Sequence, residues 1–134
     1  MIGKIFQDIQ NHLAMLDLAL ECSKQMTVLA ENKSLEEVVL ETENRDRVVN
    51  IVAHLQQKIE NQINLLDPRS VTHEEIQIIK AWFADLVIIS ERMFVCDQLT
   101  VEFLGQQKDD TSKEIALIFK NKEVLKSYNQ ENKK

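Results

Sequence analysis

A chain of 134 residues with only two glycines and one proline is one domain that lacks the punctuation sheets and tight turns need. Its 16 basic and 22 acidic residues, a net charge of -6, speak against a nucleic-acid backbone as the main partner, since that surface demands a basic footprint. The opening MIGKIFQDIQNH is interrupted by polar residues, unlike a secretory leader. The most apolar run, AWFADLVII, contains Asp85 and falls far short of the roughly 18 residues that span a bilayer. A cytoplasmic chain that does not enter the membrane is expected.

Three capping boxes then divide the chain. In each, a Ser or Thr hydroxyl faces the free amide three residues on, and a Glu reaches back. They are Ser34–Glu37, Thr72–Glu75 and Thr111–Glu114. Helix 1 is predicted over residues 2–30, with Phe6, Ile9, Leu13, Leu16 and Leu20 at alternating threes and fours. Cys22, near its end, and the distant Cys96 fit buried thiols of a reducing compartment.

Helix 2 is predicted over 35–66, its stripe built from Val49, Val52, Ile59, Ile63 and Leu66 and widened by Val48, Ile51 and Leu55. The sequence DPRS ends it, because Pro68 cannot continue a helix and disfavours helical geometry at Asp67. Helix 3 is predicted over 73–104, with Ile76, Ile79, Phe83, Leu86 and Met93 inward and Gly105 as its stop. A shorter helix 4 is predicted over 112–128, carrying Ile115, Ile118, Phe119, Leu125 and Tyr128.

The expected architecture is therefore all-α. Three long helices form an antiparallel bundle with a shorter C-terminal fourth, in one domain over 1–129 followed by a frayed tail at 130–134. Between Met93 and Leu104 helix 3 is apolar nearly all round, with Phe94, Val95, Leu99, Val101 and Phe103 added to its stripe. Such a helix needs cover on every side, and helix 4 folding back would supply it.

Little catalytic chemistry is visible. Arg47 and His54 match the loose spacing of small helical ribonucleases that act on a phosphodiester, yet Val48 stands where a polar residue usually follows that arginine. A hairpin of helices 2 and 3 explains the same charges without catalysis, by setting His54 level with Asp85 and Asp46 level with Arg92. No histidine has a Glu three residues before it, as di-iron bundles require. Asp8 and His12, one turn apart, read as an exposed polar face, and His73 beside Glu74 and Glu75 as first-turn polarity. A phosphotransfer reading of His54 fails on Ile59, which stands where a small residue is needed. No cofactor, metal or enzymatic activity is expected.

Leu40, Glu43, Arg45 or Arg47, and Val48–Val49, together with the late amphipathic KNKEVLKSYN, resemble the cytosolic flagellar export chaperones of the FliT and FlgN type. That resemblance implies a non-enzymatic chaperone or adaptor that holds an amphipathic helix of a secreted subunit and hands it to the export machinery. The expected anchors are Phe94, Leu99 and Phe103, with Ile115, Phe119, Leu125 and Tyr128 competing for the groove. Helix-in-groove recognition uses anchors at such spacing. The other reading of the same helical faces is a homodimer or a general assembly protein.

Overall fold

The computed structural model describes the backbone of residues 2–132 and the side chains of residues 2–120. Three helices account for it: α1 (Ile2–Glu31), α2 (Leu35–Asn64) and α3 (His73–Asn132). No strand occurs among the described residues. The helices run up, down, up as expected, so α1 and α3 are parallel.

Helix α1 is the hinge of the architecture. It packs against both α2 and α3, whereas α2 and α3 do not approach each other within 8 Å between Cα atoms. This replaces the expected α2–α3 hairpin: the charges of His54 and Asp85, and of Asp46 and Arg92, are not brought together as ion pairs. The charge contact across that gap runs instead from Arg45 Nη1 to Asp97 Oδ1 at 2.5 Å.

Each helix has an inward seam with alternating steps of four and three. On α1 it is Ile5, Ile9, His12, Leu16, Ala19, Ser23, Met26 and Ala30, all buried. On α2, Val38, Arg45, Val52 and Ile59 recur every seven residues, all but Arg45 buried, and Leu66 just past the helix end continues the series. On α3, Ile79, Trp82, Leu86, Ile89, Met93, Cys96, Thr100, Phe103 and Gln107 continue the rhythm. A period of 3.5 residues keeps a seam on one side only if the helices coil left-handedly around one another.

Of the expected stripes, Ile9, Leu16 and Leu20 of α1 and Ile79, Leu86 and Met93 of α3 do face inward, and the remaining positions are off by one. Phe6 and Leu13 are half-buried while Ile5 and His12 are fully buried. On α3 the core aromatic is Trp82, 1 % exposed, and its neighbour Phe83 is 43 % exposed. Val49 and Ile51 of α2 are exposed, not inward. The Asp8 and His12 face, expected in solvent, is inside, with Asp8 held by Gln62 Nε2 at 3.2 Å and Lys58 Nζ at 3.4 Å.

The two connections have identifiable chemistry. After α1, Lys33 adopts a left-handed φ of 62°. Its amide bonds Ala30 O at 3.2 Å, and that of Ser34 bonds Leu29 O at 2.9 Å, the paired bonds of a Schellman stop. Ser34 makes no side-chain cap to α2. After α2, Asp67 Oδ1 accepts from the Arg69 amide at 3.0 Å and Asp67 O accepts from the Ser70 amide at 3.0 Å, a turn with Pro68 at its second position. Thr72 does cap α3, its Oγ1 accepting from the Glu75 amide at 3.2 Å. The third expected box, at Thr111, lies within α3.

Gly105 does not stop α3. The backbone continues as one helix to Asn132, so no separate fourth helix is seen. At ~1.5 Å per residue α3 is about twice as long as either partner. Gln107 Nε2 caps the exposed end of α1 by bonding Ala30 O, and from Thr111 to Lys120 every α3 residue is exposed.

Candidate interaction surface

Two polar layers tie the three helices into register. In the first, Trp82 Nε1–H donates to His12 Nδ1 at 3.0 Å, with the rings edge to face at 5.3 Å. Nδ1 is therefore the acceptor nitrogen, and neutral His12 carries its proton on Nε2, which is buried without a partner. Burial holds the His12 pKa below its ordinary 6.5, with the nearby Gln56 side chain and the charge of Glu60, both on α2, pulling the other way. In the second layer Arg45 bonds Asp97 and reaches Ser23 Oγ at 3.4 Å. Beside it, the Thr27 and Thr100 hydroxyls meet at 2.8 Å and each lies 3.0 Å from Cys96 O; with one proton apiece, one hydroxyl donates to the other, which donates to the carbonyl. Polar groups on heptad seams discriminate against slipped registers, because a slip would strand them. Burial and the nearby Glu41 push the Cys22 thiol up, away from the thiolate form that a nucleophile needs.

The surface is more unusual than the core. Helix α3 has two apolar flanks outside its seam. The flank toward α2, marked by Asp97 and its bond to Arg45, carries Phe83, Val87, Phe94 and Val101, all exposed. The opposite flank carries Ile88, Val95 and Leu99, also exposed. Ile88, Arg92, Val95 and Cys96 there line a hollow of about 450 Å³ with Lys24 of α1. A smaller apolar hollow of about 310 Å³ lies where α2 turns into α3, between Ile63, Leu66, Val71, Ile76 and Phe83. Soluble monomers rarely leave so much apolar surface contiguous.

The expected anchors do not gather in one groove. Phe94 and Leu99 fall on opposite flanks of α3. Phe103 lies between them on the inward seam, half-buried beside Ala30, Lys33 and Gln107. Ile115 and Phe119 are exposed on the part of α3 beyond the bundle, and Leu125 and Tyr128 lie outside the residues whose side chains are described. Val87, Val101 and Ile88 were not singled out as anchors from the sequence, although their recurrence every seven residues with Phe94 and Val95 was the available signal.

Arg47 and His54 project from the outward face of α2, both exposed, whereas Arg45 is turned inward. None of the hollows described above includes Arg47 or His54. Among the described residues no cluster of three or more His, Cys, Asp and Glu is arranged to hold a metal ion, and no helix is long and apolar enough to cross a membrane. Comparison with family models, with curated proteins and with solved structures found no match.

Proposed function

We propose that this chain is a non-enzymatic helical adaptor that holds an amphipathic helix of a partner protein, acting in the cytosol as an export chaperone similar to the FliT and FlgN type. The observation that carries the reading is the apolar flank of Ile88, Val95 and Leu99 on α3, open beside α1. A guest helix laid along that edge would present apolar residues at every third or fourth position to Ile88, Val95 and Leu99. Lys24, paired with Glu21, shares the rim of the same hollow with Glu91 and Arg92, so the guest's border should carry charges of both signs, and such rim charges set the rate and selectivity of capture more than its strength.

The bundle suits this task because its polar layers hold α1 and α3 in fixed register, so the groove does not have to form when the guest arrives. Affinity capture from a cell extract tests the reading. The wild-type chain is expected to retain a secreted filament-type subunit, Val95→Glu to lose it, and Arg47→Ala on the outward face to keep it. A purified chain that instead cleaves RNA, and loses that activity on His54→Ala, would sink the proposal.

A further inference from the structure

The flank of α3 toward α2 does not end with the bundle. Phe83, Val87, Phe94 and Val101 are the first members of a second series, spaced by fours and threes, that continues through Leu104, Lys108 and Thr111 to Ile115 and Ile118. The series starts beside α2 and runs onto the part of α3 that no other element of the chain covers. Exposure rises from 43 % at Phe83 to 67 % at Val101, drops at half-buried Leu104, and stands at 47 % and 57 % at Ile115 and Ile118. Helix α2 borders this face only at Phe83, Asp97 and near Leu35, and a 3.5-residue recurrence left so largely exposed is the pattern of a coiled-coil seam whose second strand is absent.

We propose that the missing strand is α3 of a second copy of this chain, paired antiparallel about a two-fold axis beside Glu102 and Phe103. The projecting half of each α3 would then lie along the bundle half of the other. Two observations select this occupant. The first is continuity: one series crosses from the bundle to the extension, so a single self-complementary pairing covers both halves at once, as an isologous interface requires.

The second is charge. The polar interruptions include one acid, Asp97, and one nearby base, Lys108. Sliding antiparallel helices past each other by whole heptads sets Asp97 against Phe94, Val101, Lys108 or Ile115. Only Lys108 offers a counter-charge. That same register brings Val101 to Leu104, Phe94 to Thr111 and Val87 to Ile118, each pair occurring twice. Parallel pairing would set Asp97 on Asp97 and Lys108 on Lys108, which is repulsive. Arg45 occupies Oδ1 of Asp97, and the carboxylate is 41 % exposed, which leaves Oδ2 for the incoming ammonium.

This pairing uses the flank opposite to the one assigned to a guest helix, so the two can succeed or fail separately. The full-length chain is expected to sediment at twice its 15.6 kDa at concentrations of about 100 µM and to dissociate reversibly on dilution. Val101→Glu places a carboxylate near the axis twice per dimer and should weaken association by at least ~100-fold. Because Val101 is exposed, the circular dichroism and melting of the variant should match the parent at dilutions where both are monomers, and Val95→Glu on the other flank should leave the mass unchanged.

A zero-length carbodiimide reagent should join Asp97 to Lys108, and isotope-mixed samples should place that link between chains. Within one α3 these residues are ~16 Å apart and out of reach. A monomer at about 100 µM, a dimer indifferent to Val101→Glu, or links from Lys108 only to other carboxylates would overturn the assignment. The same failures would leave the flank to a foreign helix or to a folded-back end of this chain.

Discussion

The two halves of α3 are chemically similar and structurally opposite. From Ile79 to Gln107 the helix presents a seam to α1 and is anchored by Trp82 and Thr100. From Thr111 to Lys120 it carries Ile115, Leu117, Ile118 and Phe119, yet every residue is exposed, with Leu35 of α2 reaching only as far as Thr111 and Ser112. Apolar content therefore does not decide which half is core. The difference is the facing helix: α1 ends at Glu31, and beyond its cap by Gln107 nothing remains to bury against. Burial in this molecule is set by the reach of α1, the helix with most of the buried positions.

The largest expected effect tests that contrast directly. Trp82→Ala removes the bulkiest fully buried side chain and strands His12 Nδ1, and should destabilise the fold by about 3–5 kcal/mol in urea titrations. Leu117→Ala, an exposed site on the projecting half, should leave the bundle's midpoint within about 0.5 kcal/mol. Comparable losses at the two sites would break the comparison.

Acid comes next in size. The His12 pKa is lowered by burial, so the unfolded chain takes up the proton first as pH falls. Its contribution to stability is complete above about pH 6.5. It is lost progressively as pH falls from there toward the folded-state pKa, and the loss levels off below it. Denaturant midpoints between about pH 7 and 5 should show this slope, and His12→Gln, which cannot titrate, should flatten it. An unchanged slope in the variant would place its origin elsewhere.

Smaller effects sharpen the boundary between the halves. Gly105 has no positive φ, and a Cβ there would meet nothing within 4 Å. Gly105→Ala should therefore raise α3 helicity and stability by roughly 0.5–1 kcal/mol; a loss instead would mean that the helix ends at this glycine. Lys33 presents the converse case, a left-handed residue that is not glycine. Lys33→Gly should gain at most about 1 kcal/mol in thermal melts.

The helical class and three of the four expected helix starts, at Ile2, Leu35 and His73, were legible because composition, Pro68 and the box at Thr72 act locally. The exact seams were not. Searching for apolar residues passes over His12, Ser23, Arg45 and Thr100, yet these occupy inward positions because each finds a polar partner on another helix, which no local window reveals. The same blindness placed Asp8 and His12 in solvent. Gly105 misled for a different reason: glycine lowers helix stability without forbidding helix, and an exposed helix tolerates it. On the surface, apolar anchors on α3 were anticipated in kind, but their division between two flanks depends on where α1 and α2 lie.

The bond from Trp82 to His12 also gives the molecule its own optical gauge. The chain holds a single tryptophan, and its indole sits in the layer joining α1 to α3. Its emission wavelength and lifetime therefore follow the separation of those two helices, in an unlabelled sample. Docking of a guest helix, acid loosening and pairing of copies could each be followed through that one ring.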